Sequence, residues 1–330
     1  MHSPSLRRTV GALACLLLGT TALAAAPTAA STGPHDRIVY SRTALDGSGA
    51  TAITAAPDGT HQRVVSTTVP LEDFNRSTWS HDGTRLLHSN VVVLDPTTGD
   101  LVAFRPGISS PSGSHFRVLR LPRLPTDMFC SAWTPNDRRI LCDIGTERQG
   151  LFSIRADDGG GRVRLTTNPW GSQDLAVGFS PDGHRLAFLR FRPGTGPDAG
   201  TQDRVALLVA RADGSHAHRI TGYAVLQAHE LAWADWSPDG RRLVSSTQWG
   251  RLVLVAADGS GLTRIRLRPS RPDDFAATPT FSPDGTELLF SLFRQAPADL
   301  YRAHLDGSGV QAVTHSPEND LNPDWTTMSH

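Results

Sequence analysis

Carboxylates are the side chains of this 330-residue sequence with the clearest positional order. An acid stands five to seven residues before each of six aromatic residues, Trp79, Trp133, Phe179, Trp236, Phe281 and Trp325. These acids are Glu72 and Asp73, Asp127, Asp174, Glu230, Asp274, and Glu318 with Asp320. If the six positions are equivalent in the fold, the acids gather around one axis. Such a ring attracts a shared cation or an Arg- or Lys-bearing partner, because crowded like charges are relieved by an opposite one. Calcium suits an all-oxygen set of this kind. The same acids can instead accept backbone N–H groups and only clamp loops, and one residue can do both.

Other chemistries fail on inspection. His229-Glu230 begins like the zinc-protease motif H-E-x-x-H, but Trp233 occupies the second histidine position. His216-Ala-His218 brackets a polar turn, where exposure rather than metal binding is the simpler account. There is no G-x-S-x-G nucleophile elbow. No lysine occurs anywhere, which excludes lysine Schiff bases and the P-loop and kinase lysines. The 32 arginines balance 32 acids, whereas nucleic-acid binding needs a net basic footprint. Arg264, Arg266 and Arg268 alternate as charges on an edge strand do when they block aggregation. No nucleophile, base and orienter emerge as a set.

The N-terminus carries an export pattern over residues 1–30. Arg7 and Arg8 precede an apolar run from Val10 to Ala26, followed by small residues. The flanking Leu6 and Thr9 match the twin-arginine route poorly, and the export route stays open. Cys15 lies inside the apolar run and reads as an ordinary signal residue. No later segment is long and apolar enough to span a bilayer as a helix. An extracytoplasmic chain with two further cysteines, Cys130 and Cys142, has a disulfide candidate; two small buried thiols are the alternative.

The elements that position these residues are repeats. The phrase Ser-Pro-Asp-Gly recurs at Ser180–Gly183, Ser237–Gly240 and Ser282–Gly285, and in altered form at Ser80-His-Asp-Gly83 and Thr134-Pro-Asn-Asp137. An apolar strand follows each, then a strand ending in a second tight turn such as Ala212-Asp-Gly-Ser215, then a short fourth strand. Each unit is therefore a four-stranded antiparallel meander, strands a to d. Aligning the turn in the third unit sets Cys130 opposite residue 142 or 143. Trp325 opens a unit that stops at His330, while Arg37–Ser41, Thr51–Gly59 and His61–Val65 supply strands b, c and d without a strand a. Pairing the two fragments closes an all-β ring, a six-bladed β-propeller over residues 31–330, and leaves no open edge.

Trp236-Ser-Pro-Asp-Gly240, Phe281-Ser-Pro-Asp-Gly285 and the later Asp-Gly-Ser turns resemble the PD40, WD40-like repeats of TolB-like propellers. The resemblance implies the propeller fold, here without the α/β domain that precedes it in TolB. Strand direction puts the uniform a–b and c–d turns on one face and the variable b–c and d–a loops on the other, the latter including 192–204, 223–230 and 107–127. Loops that differ on a uniform scaffold carry binding. The expected function is a monomeric exported binding or scaffold module that engages a protein or peptide, with basic character matching the acidic ring, at that channel mouth. The alternative is a propeller enzyme, a lyase or lactonase-like hydrolase, using a metal held by those acids.

Overall fold

The computed structural model describes residues 36–330 apart from 47–48, 68–69, 72–74, 120–127, 144–149, 170–171, 193–203, 224–232, 248, 295–296 and 329–330. Its described residues form six four-stranded antiparallel sheets. Strands a are Asn319–Thr327, Ser77–Trp79, Phe129–Trp133, Gln173–Phe179, Ala234–Trp236 and Phe275–Phe281 for blades 1 to 6. Strands b are Asp36–Thr43, Leu86–Leu94, Arg139–Asp143, Arg185–Arg192, Arg242–Ser246 and Glu287–Phe293. Strands c are Ala50–Ala55, Leu101–Ser109, Phe152–Arg155, Arg204–Arg211, Leu252–Ala256 and Asp299–His304. Strands d are only two or three residues long and form the outer edges.

The C-terminal strand pairs antiparallel with the first, Ile38 opposite Trp325 and Arg42 opposite Asp320. Blade 1 is thus shared by the two ends of the chain. The core is not one mass but six slabs, each between neighbouring sheets. Val39, Ala52 and Val65 of blade 1 pack on Trp79, Leu86 and Val91 of blade 2, and Ile38, Tyr40 and Trp325 of blade 1 pack on Leu289 and Leu300 of blade 6. Burial of these faces drives blade association, since a lone blade would leave both faces wet.

The repeated a–b turn has a local cause. In Ser237-Pro-Asp-Gly240, the Ser237 hydroxyl donates to Asp239 Oδ1 (2.6 Å) and accepts from the Arg242 amide (2.9 Å), while Asp239 Oδ1 accepts the Arg241 amide (3.0 Å). The two variant turns are partners. His81 stands where others have Pro, and Asp137 stands where they have Gly. The Asp137 carboxylate accepts the amides of His81 and Asp82 (both 3.0 Å) and contacts His81 Nδ1 (2.8 Å). A proline at 81 would remove one of these donors. His81 and the other polar bonds hold the Asp137 carboxyl below its usual range, despite burial.

Blade 2 departs from expectation. Residues 107–118, expected within a variable loop, belong to strand c, a c–d turn and strand d (Arg117–Val118). Ser110-Pro-Ser-Gly113-Ser-His115 makes that turn without the Asp-Gly-Ser signature, with Gly113 N donating to Ser110 O (2.9 Å). Strands b and c are each nine residues long, so their hairpin projects past the sheet on the variable-loop face.

Candidate functional site

Strand alternation and register build the mouth of the channel. Asp174, near the start of strand a in blade 4, lies directly opposite Arg190 near the end of strand b. Arg190 Nε donates to Asp174 Oδ1 (2.6 Å) and Nη2 to Oδ2 (2.8 Å). Blade 1 repeats the arrangement, with Arg42 Nε and Nη2 donating to Asp320 Oδ1 (2.8 Å) and Oδ2 (2.9 Å). In blade 6, Arg294 Nε and Nη2 donate to Asp274 Oδ1 (2.9 Å) and Oδ2 (3.3 Å). The same cross-strand fork therefore occurs in three blades, and each is the planar bidentate match that guanidinium and carboxylate favour. These carboxylates are side-chain exposed by 0%, 0% and 1%, their arginines by 12%, 23% and 17%. At these positions the mouth shows solvent its guanidinium groups rather than its carboxylates.

Asp174 and Asp274 also serve as clamps. Asp174 accepts the Thr166 hydroxyl (3.0 Å) and Asp274 the Arg271 amide (2.9 Å). Glu318 is half-buried, its amide bonded to Ser316 Oγ (3.1 Å). Glu72, Asp73, Asp127 and Glu230 lie outside the described residues, as do most of loops 192–204 and 223–230. A calcium ion needs six to eight oxygens with charge to spare. Of the four described ring acids, Asp174, Asp274 and Asp320 have both oxygens engaged by arginine, and among the described residues no three His, Cys, Asp or Glu side chains cluster as ligands. The described residues do not fit a metal. His216, on a c–d turn, and His218, the first residue of the strand d that follows, are both exposed, and His216 takes a positive φ of 55°.

Beside the mouth, Asp143 ends strand b of blade 3 and is fully enclosed. Burial pushes its carboxyl up to about 7; the Ala176 amide donating to Oδ2 (3.3 Å) opposes this, and the charge of Asp174 adds to it. Cys130 and Cys142, next to it in the same hairpin, face each other in register and are bonded.

Two features went unread in the sequence. Exposed apolar residues gather at the b–c tips: Leu45 in blade 1, Leu94, Leu101 and Val102 in blade 2, and Trp249 in blade 5. No motif marks them, because exposure follows from how far each hairpin overshoots its sheet. The second is Arg76, whose guanidinium stacks on the ring of Trp233 from another blade. It sits three residues before Trp79, a spacing that repeats nowhere else as arginine.

Fold and mouth define a six-bladed β-propeller with an ion-paired rim. No family model matches the chain. Its repeats and fold are TolB-like. It is 35% identical over 91 residues to the Tol-Pal system protein TolB of Anaeromyxobacter dehalogenans, a match spanning 27% of this chain and 20% of that one. The chain thus covers about a fifth to a third of the length of the curated relatives it matches. The structure of TolB from Acinetobacter baumannii superposes with a TM-score of 0.52 at 14% identity, over 87% of this chain and 82% of that one. A chain of a nidogen/laminin complex superposes with a TM-score of 0.61 at 9% identity, over 88% of this chain and 98% of the other. At such identities these structures share the fold alone.

Proposed function

We propose that the chain is an extracytoplasmic binding or scaffold module whose protein partner docks on the b–c and d–a face, around the channel mouth. The observation that carries this is the placement of exposed large apolar side chains. Leu45, Leu94, Leu101, Val102 and Trp249, each 44–63% exposed, all stand on b–c tips. The remaining three, Val64, Val163 and Leu262, lie on outer strands d, and none of the described a–b or c–d turns carries one. Exposed apolar groups rimmed by polar ones mark protein-binding surfaces, and an exposed tryptophan is the side chain most often found to anchor them. The relatives' own name, Tol-Pal system protein, is that of a multi-component assembly and fits a partner-binding role. The ring of Glu72, Asp73, Asp127, Asp174, Glu230, Asp274, Glu318 and Asp320 acts in this reading as the frame of the mouth. Arginines fix Asp174, Asp274 and Asp320, so the frame holds the docking loops instead of presenting free charge to a basic ligand. The export pattern at residues 1–30 and the Cys130–Cys142 bond support an oxidising, extracytoplasmic site of action.

The test is site-specific photo-crosslinking of the full chain in its native host. Benzoylphenylalanine at Trp249 and at Leu94 is expected to yield one common adduct, and at Asp258 on the turn face none. Equal yields from Asp258, or different adducts from the two rim positions, would contradict docking on this face.

A further inference from the structure

Arg76 stands directly before strand a of blade 2, and Trp233 directly before strand a of blade 5. The Arg76 guanidinium lies 3.5 Å from the centre of the Trp233 ring. Blades 2 and 5 are opposite members of the six-membered ring, so this one side chain spans the central channel. Its Nη2 also donates to Pro323 O (3.3 Å) on the closing strand of blade 1. The crossbar is buried, Arg76 being 6% exposed and Trp233 7%.

Its bonding is incomplete in one direction only. Arg76 Nε and Nη1, Trp233 Nε1 and Thr78 Oγ1 have no protein partner among the described residues. Three of these four atoms are obligate donors, and what they lack is an acceptor. Buried donors are rarely left unmet in folded proteins. Two enclosed carboxylates act on the guanidinium through their charge, Asp324 and Asp235. Each has its Oδ2 engaged by the next blade: Asp324 accepts the Trp79 amide (2.8 Å), and Asp235 accepts the Phe281 amide and the Thr280 hydroxyl (both 2.9 Å). No ion pair joins either of them to Arg76 among the described residues.

The charges decide what completes the site. One guanidinium beside two carboxylates carries a net negative charge when both are ionised. An anion would add to that charge in a poorly solvated space, and a cation would meet the guanidinium. Water is neutral, accepts from Arg76 and donates to a carboxylate, and needs two to four polar partners of this kind to be held. We propose that the channel centre is a water-binding site in which ordered water bridges Arg76 to Asp235 or Asp324, and that the Arg76–Trp233 crossbar closes the channel. The two faces of the propeller are then separated, and no ligand or peptide threads through it. This holds whatever partner the mouth engages.

A crystal structure of the full mature chain, at a resolution that shows ordered water, tests the proposal. Compact density is expected about 2.7–3.2 Å from Arg76 Nε or Nη1 and within the same reach of a carboxylate oxygen. A bromide soak is expected to leave that density without anomalous signal. Anomalous signal there, no density there, or Arg76 swung away from Trp233 with the channel open would each overturn it. In Arg76→Met the density is expected to disappear, and its persistence would show that Arg76 does not hold it. If that variant does not fold, the wild-type crystal still decides.

Discussion

Each guanidinium at the mouth is held where its carboxylate lies opposite in register, so removing the acid strands a largely buried positive charge. Asp174→Ala is expected to lower stability by about 3 kcal/mol in urea denaturation, because Arg190 then keeps its desolvation and loses its fork. Added calcium is expected to change neither wild type nor variant. Burial at Asp143 has a different signature. Its carboxyl titrates near 7 in the folded chain and near 4 when unfolded, so folding takes up a proton between these values. Stability from this group is greatest at the acid end and falls as pH rises through the window, by an amount on the order of 3–4 kcal/mol. Asp143→Asn should remove that slope in a comparison of denaturation midpoints from pH 5 to 8. His88, buried and pushed down to about 4, tilts both proteins the other way below its unfolded value and cancels in the comparison. The spacing of the acids could be read at this scale, since they keep step with the aromatics along the sequence. Their partners were not. Arg190 and Arg294 follow their acids by 16 and 20 residues, and Arg42 precedes Asp320 by 278. Only strand register connects such pairs.

The tight turns do more than reverse the chain. A Cβ on Gly214, in the c–d turn of blade 4, would stand 1.8 Å from Leu165 O at the end of blade 3. One on Gly59 in blade 1 would stand 1.8 Å from Val313 O of blade 6. At Gly59, Gly214 and Gly307 the glycine thus lets its turn press on the blade before it, in addition to taking a positive φ, whereas Gly259 has ordinary contact distance to Ile220. Gly99 provides the contrast, with a φ of 77° but open space where its Cβ would go. Gly214→Ala is expected to cost about 2–4 kcal/mol and Gly99→Ala about 1 kcal/mol, measured by thermal or chemical denaturation. Equal effects would show that backbone conformation alone sets the requirement. The sequence revealed the turns because their residue types are local necessities. It concealed the long hairpin of blade 2, where Leu71 from the preceding connection bridges Ala50 and Val91. That bridge joins blades 1 and 2 at the rim through residues with no turn signal of their own.

Ring closure decides everything larger. The half-blade at each end of the chain could be recognised because each lacks what the other has, and the observed register sets Trp325 beside Ile38. Closure makes one face of uniform turns and one of apolar tips, and it sets Arg76 across from Trp233. What could not be foreseen is which side chains cross a space that exists only once six blades have assembled. An open array would split blade 1 into its two halves, keep the other five blades, and lose both the mouth and the channel. The most direct measurement is therefore a cross-link at the seam. Arg37 and Thr326 are register partners on the two end strands. Arg37→Cys combined with Thr326→Cys is expected to form an intramolecular disulfide in the native protein and to raise its melting temperature, with unchanged mobility under reducing conditions. Failure of the two thiols to join in the folded monomer, or their joining only between chains, would contradict a closed six-bladed ring.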